Sequence, residues 1–194
     1  ELITIVDADA INGTVDVVST LPTGWSLVYD LPNGNVNLQF GSTALEFVVG
    51  TETSGPNNPN SVFVPVTVNN FTDIATFQGT IIFDETKLTY EGAAGPNGSA
   101  DFVAPYLNFG APGVGTVPNN AITFSWFEQG GTTLTVNDGD VVMVLEFTVK
   151  VGTPTGEALI SIDGSSTALG YSDDINATSL LTPTTTGGKV IIDS

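Results

Sequence analysis

SVFVPVTVNNFTDIATFQGTIIFDETKLTYEG, from Ser61 to Gly92, holds three strand patterns and the joins between them. In its first nine residues Val62, Val64, Val66 and Val68 alternate with polar or small residues, the period-2 signature of a half-buried strand. Phe77, Gly79, Ile81 and Phe83 repeat that alternation one element later. Asp84-Glu-Thr-Lys87 is a polar turn, and Leu88-Thr-Tyr90 starts a further strand. Three consecutive strands with short joins, and no 3.6-residue periodicity, predict an all-β chain.

The composition agrees. Runs of Val, Ile, Thr and Phe are broken by 22 Gly and 11 Pro, the mixture of short strands and frequent turns found in sandwiches. At 194 residues the chain can hold one full sandwich plus a smaller piece. Twenty-one acids against Lys87, Lys150 and Lys189, with no Arg or His, give a net charge of −18. Such a surface repels phosphate backbones and anionic lipid, so nucleic acid and membrane insertion are excluded as partners. Cationic partners, calcium or a high-salt exterior suit it, because salt screens the repulsion among its carboxylates. With no Cys, neither a disulfide framework nor a thiolate metal site is available. The start at Glu1, without a signal peptide or spanning segment, is expected of a mature or excised product at the cell surface or outside the cell.

Working outward, AITFSWFE (121–128), DGDVVMVLEFTVK (138–150), GEALISIDG (156–164) and GGKVIID (187–193) supply further strands. The V-x-V-P-V strand, the aromatic strand ending in Phe83-Asp84 and the D-x-x-x-L-x-Y turn, followed by these segments in this order, resemble the cohesin modules of cellulosome scaffoldins over residues 45–193. The resemblance implies an antiparallel two-sheet sandwich, a cohesin-like jelly roll of about nine strands. One sheet would hold 45–51, 61–69, 87–92, 140–150 and 187–193, and the other 74–84, 101–108, 121–129 and 157–163. The expected core is Val64, Val66, Phe77, Ile81, Phe83, Phe124, Trp126, Leu145, Phe147, Ile160, Ile162 and Ile191.

Residues 1–44 lie outside the resemblance and form an N-terminal extension preceding a 45–194 body. Strand signals at Leu2–Val6, Thr14–Val18, Trp25–Leu31 and Asn35–Phe40, with Asn33-Gly34 as a tight turn, predict a β-hairpin. About 40 residues seldom bury enough surface to fold alone. Three roles stay open: an accessory layer on the body, the tail of a preceding repeat, or a strand donor. Leu2, Ile3, Thr4, Ile5 and Val6 form the apolar terminal strand that donation to a neighbour's sheet edge requires.

Catalysis is hard to build from these residues. Without His, Cys or Arg, the serine triad, the cysteine nucleophile and the histidine-ligated zinc site are all unavailable. A carboxylate pair drawn from Glu128, Asp138 and Asp140 is the remaining hydrolytic option, and acids at strand ends are more often solvated turn residues. No cofactor is expected. Calcium is the one ion the donors suit, at Asp7-Ala-Asp9, at Asp138 and Asp140, or at Asp173, Asp174 and Asn176, and none of these matches an EF-hand loop. Asn12, Asn70, Asn97 and Asn176 head glycosylation triplets.

The resemblance implies a protein-binding face on the second sheet, with Gln78, Thr80, Thr123, Ser125, Phe127, Leu159 and Ser161 pointing outward. The expected function is a non-catalytic extracellular module for scaffolding, adhesion or assembly. Its partner would be a dockerin-like module or copies of itself. A fibre subunit assembled by N-terminal strand donation, forming a homo-polymer, is the alternative, and a carbohydrate-binding accessory module is a third reading.

Overall fold

The computed structural model describes residues 44–54, 61–173 and 180–193, together with the strand backbone of 2–7, 25–30 and 35–40. The chain divides into two compact units, Glu1–Thr43 and Ala44–Ser194. In the first, β1 (Leu2–Asp7), β2 (Trp25–Asp30) and β3 (Asn35–Phe40) form a three-stranded sheet in the order β1-β3-β2. The expected β2–β3 hairpin is present, with Asp30 opposite Asn35. The Thr14–Val18 strand and the Asn33-Gly34 turn lie outside the described residues.

The second unit is a sandwich, with no helix among its described residues. One sheet runs β14-β4-β6-β11-β8: β4 is Glu46–Val49, β6 Ser61–Asn69, β8 Leu88–Ala94, β11 Val141–Val149 and β14 Thr184–Thr186. The other runs β5-β15-β12-β7-β10-β9: β5 is Thr51–Ser54, β7 Thr76–Phe83, β9 Leu107–Gly110, β10 Ala121–Phe127, β12 Gly156–Asp163 and β15 Gly188–Ile192. Here β13 (Gly170–Ser172) also pairs with β7.

The valine alternation of β6 appears as alternating exposure, with Val62, Val64, Val66 and Val68 buried. Aromatic residues fill one end of the core. Phe77 stacks on Trp126 at 5.1 Å, Phe47 and Phe71 meet Phe77 edge-on at 5.3 and 6.0 Å, and the indole of Trp126 donates to the Asp101 carbonyl at 2.8 Å. Edge-to-face pairs of this kind are worth about 0.5–1.5 kcal/mol beyond the area they bury.

Three parts depart from the expected layout. The last strand belongs to the β7 sheet, not the β6 sheet, and Val190 and Ile192 face the core while Ile191 is half-buried. The 45–51 segment changes sheets at Gly50, so that β4 pairs with β6 and β5 pairs with β15. The 101–108 segment is mostly turn, and only Leu107–Gly110 is strand. Two crossings side by side explain the first two changes. β14 lies parallel to β4, then the chain crosses at Gly187 and β15 continues parallel to β5. A side chain at Gly188 would stand 2.0 Å from the Gly50 carbonyl oxygen, so this close passage requires glycine. These breaks, together with β13, raise the nine expected segments to twelve strands among the body's described residues.

Candidate functional site

The outer face of β9-β10-β7-β12 is laid out in register rows. Asn108, Ser125, Gln78 and Gly170 stand abreast, and Gly110, Thr123, Thr80 and Asp163 form the next row. Ser161 lies opposite Ile82, and Leu159 follows at the far end, where its carbonyl accepts the Asp84 N–H at 3.2 Å. From Phe127, opposite Thr76, to Leu159 the face extends about 26 Å at ~3.3 Å per residue.

Ser125, Phe127, Leu159 and Ser161 are exposed, and Gln78 and Thr123 are half-buried. Phe127 is 48% exposed and Leu159 64%. Thr80 is the exception to the expected outward set, because it is fully buried. Between β12 and β13 the chain leaves β7 and folds residues 164–169 over it. The Thr80 hydroxyl accepts the N–H groups of Ser166 and Thr167 at 3.2 and 2.8 Å, and Gln78 Nε2 donates to the Ala168 carbonyl at 2.9 Å. The small polar side chains of β7 therefore anchor a loop, which leaves β9, β10 and β12 as the accessible parts of the face.

Two apolar anchors stand at opposite ends. Tyr106 meets Phe127 edge-on, centroids 5.3 Å apart and planes at 81°. At the other end Leu159 and Ile82 line a hollow of about 460 Å³ with Phe83, Asp84, Lys87, Glu157 and Ser161. Tyr106, Asn108 and Leu180 were not expected on this face. Tyr106 arrives there because 101–106 is turn, and Leu180, 42% exposed, packs where a side chain on Gly170 would clash at 2.6 Å. Parity along β9 would have found Asn108 had the strand been started at Leu107; nothing in the sequence signals Leu180.

Charge is distributed unevenly along the face. All three lysines lie at the Leu159 end. Lys87 pairs with Asp84 at 3.1 Å and donates to the Glu157 carbonyl at 2.7 Å, Lys189 pairs with Glu157 at 2.6 Å, and Lys150 donates to the Glu85 carbonyl at 2.5 Å. Hydrogen bonds from Thr86, and more weakly Lys87, hold the Asp84 carboxyl below its usual range against the opposing effect of burial. At the Phe127 end Glu128 accepts the N–H groups of Thr132 and Gly130 at 2.9 and 2.7 Å, and these bonds hold it below the usual glutamate range. A glycosidase acid needs the opposite shift; Glu128 instead pins a turn.

The candidate calcium carboxylates do similar work. Asp138 Oδ1 accepts the Asn70 N–H at 2.7 Å, and Asp140 Oδ2 accepts the Asn137 N–H at 3.0 Å. Asp173 is exposed at the end of β13, and Asp174 lies outside the described residues. Among the described residues no group of three or more acids is placed to hold a metal ion. Of the glycosylation triplets, Asn97 is exposed, Asn70 Nδ2 donates to the Ala44 carbonyl at 3.4 Å, and Asn12 and Asn176 lie outside the described residues. The proposed donor residues Leu2, Ile3, Thr4 and Val6 pair within their own unit, opposite Gln39, Leu38, Asn37 and Val36; Ile5 sits at a register shift.

Comparison with known proteins gives one family: the cohesin domain model matches residues 35–192. The fold is that of the sixth cohesin of Acetivibrio cellulolyticus scaffoldin B, solved in complex with a Cel5 dockerin (TM-score 0.61, 19% identity, 78% of this chain and 100% of that one). It is also similar to CaCohA2 from Clostridium acetobutylicum (TM-score 0.60, 16% identity, 78% and 92%) and to a non-cellulosomal cohesin from the archaeon Archaeoglobus fulgidus (TM-score 0.55, 16% identity, 78% and 92%). No curated protein matches the chain.

Proposed function

The chain belongs to the cohesin family of protein-binding modules, and from that premise we propose that it is a non-catalytic scaffolding module working at the cell surface or outside the cell. Its partner is a dockerin-like module that docks on the outer face of β9-β10-β7-β12. The observation that carries this reading is the pair of separated anchors: Phe127 with Tyr106 at one end and Leu159 at the other, with small polar residues between. Apolar anchors in a polar surround are how protein interfaces concentrate their energy. Thr123, Ser125 and Ser161 supply hydrogen bonds between the anchors, and Gln78 and Thr80 contribute by holding the 164–169 loop. Residues 1–44 act as an accessory unit and 45–194 as the binding body.

Titration calorimetry of the full chain against a panel of purified dockerins from the same genome tests this. The expected result is at least one dockerin that binds the wild type and binds Phe127→Ala with Leu159→Ser about a hundredfold more weakly, at unchanged melting temperature. Unaltered binding by that double variant would remove the face from the account.

A second reading keeps one supporting observation. β1, like β2, is an edge strand hydrogen-bonded to β3 alone in the described pairing, and as the first strand in the chain it is the one that exchange between copies would release. A chain lacking residues 1–10 that still polymerises as the full chain does would end that reading.

A further inference from the structure

Among the described residues Asn97 is the one asparagine followed by glycine, and it lies in the turn from Pro96 to Ser99 that follows β8. The Ser99 N–H closes this turn on the Pro96 carbonyl at 3.1 Å, with Gly98 at φ +84°. Asn97 and Gly98 are both exposed, and a side chain added at Gly98 would meet open space. Neither the Asn97 amide nor the Gly98 N–H has a hydrogen-bond partner among the described residues. Four other asparagines are held. Asn69 Nδ2 donates to Glu46 at 2.8 Å, Asn108 Nδ2 to the Pro105 carbonyl at 2.5 Å and Asn137 Nδ2 to Asp140 at 3.3 Å. After Asn120 it is the next nitrogen, that of Ala121, which is tied, donating to the Pro118 carbonyl at 3.1 Å.

We propose that Asn97 is a modification site, which loses its amide by ring closure on the Gly98 nitrogen and ends as isoaspartate or aspartate. The Gly98 nitrogen attacks Cγ of Asn97: the N–Cγ bond forms, the Cγ–Nδ2 bond breaks, and ammonia leaves with the proton of the Gly98 N–H, giving a succinimide. Water then opens the ring, its hydroxyl going to one ring carbonyl and its proton to the Gly98 nitrogen. Attack at Cγ gives aspartate; attack at the main-chain carbonyl routes the chain through Cγ as isoaspartate. Ring closure requires a nitrogen free of hydrogen bonds and unshielded by a neighbouring Cβ, and glycine has none. The turn is tied to the core on both sides. Gly95 packs so close to the Phe102 carbonyl that a side chain there would overlap it, and the Ser99 hydroxyl accepts the N–H groups of Asp101 and Phe102 at 3.2 and 3.1 Å. The Asp101 carbonyl in turn takes the indole of Trp126, the neighbour of Phe127. Isoaspartate adds a main-chain carbon between Gly95 and Ser99, which draws the Ser99 hydroxyl off the Phe102 N–H and loosens the segment that holds Trp126.

Peptide mapping by mass spectrometry, on the full chain kept for weeks at mildly alkaline pH and body temperature, tests this. The Asn97 peptide exchanges NH2 for OH at least about tenfold faster than the peptides of Asn69, Asn108, Asn120 and Asn137. Asn12 and Asn33, which lie outside the described residues, are read on peptides of their own. In Asn97→Gln, whose longer side chain must close a larger ring, the corresponding peptide keeps its amide. The isoaspartate form, separated by ion exchange, exchanges the Phe102 amide at least about tenfold faster than the fresh chain. An Asn97 peptide that keeps its amide as long as the other four overturns the proposal, and so does a sugar on Asn97, since a glycan occupies the nitrogen that has to leave. An isoaspartate form with Phe102 as protected as before overturns the loosening. None of these results depends on which partner the module binds.

Discussion

The two outer faces of the sandwich are built from strands of the same kind and differ in what lies over them. On β7 the outward hydroxyl of Thr80 is fully buried under the 164–169 loop, which it holds through two N–H groups. On β6 the corresponding outward positions, Phe63, Pro65 and Thr67, carry no loop among the described residues and remain partly open. A sheet face is thus shaped as much by the excursions between its strands as by the strands. The first face carries a loop over its middle strand and anchors at its ends, while on the second Phe63 stands exposed in mid-strand.

The largest expected effect strikes both faces together. Gly188→Val would drive a side chain into the Gly50 carbonyl at the crossing that joins the sheets, so the variant should lose about 4 kcal/mol or more, or fail to fold, in urea unfolding. Next comes Thr80→Val, which leaves the Ser166 and Thr167 N–H groups without their acceptor. It should cost about 1–3 kcal/mol and speed hydrogen exchange across 164–169. Thr67→Val on the other face should change stability by less than about 0.5 kcal/mol, because it removes no buried partner that the structure shows. If the two threonine variants cost the same, the contrast between the faces is wrong.

The smallest effect is one of pH. Hydrogen bonds from Asn69 and Thr186 hold Glu46 below its ordinary value of 4.5, and those from the Thr132 and Gly130 N–H groups do the same for Glu128. A carboxyl whose folded value is depressed contributes stability above its unfolded value and loses it as pH falls through the folded one. Melting temperature should therefore be flat above pH about 5 and fall below about 4.5. Glu46→Gln should make that decline shallower.

Much of the fold was legible because alternation survives wherever one side of a strand meets the core. Val62 through Val68 and Phe77 through Phe83 could be assigned to a face by parity alone. Parity fails in Val190-Ile-Ile192, where three consecutive apolar residues fit either register, and the strand was read one residue out of phase. It fails again at Thr80, because a loop's destination leaves no periodic trace. Tyr106 and Leu180 reach the β9-β10-β7-β12 face through irregular segments, where no period exists to be read.

The central claim, that a protein partner occupies the β9-β10-β7-β12 face, is tested most directly by amide hydrogen exchange of the full chain with and without a bound dockerin from the panel. The account predicts slowed exchange at Leu107–Gly110, Ser125–Phe127 and Leu159–Ser161, with Val62–Thr67 unchanged. Protection confined to β6 and β11, with none at Phe127 or Leu159, would contradict it.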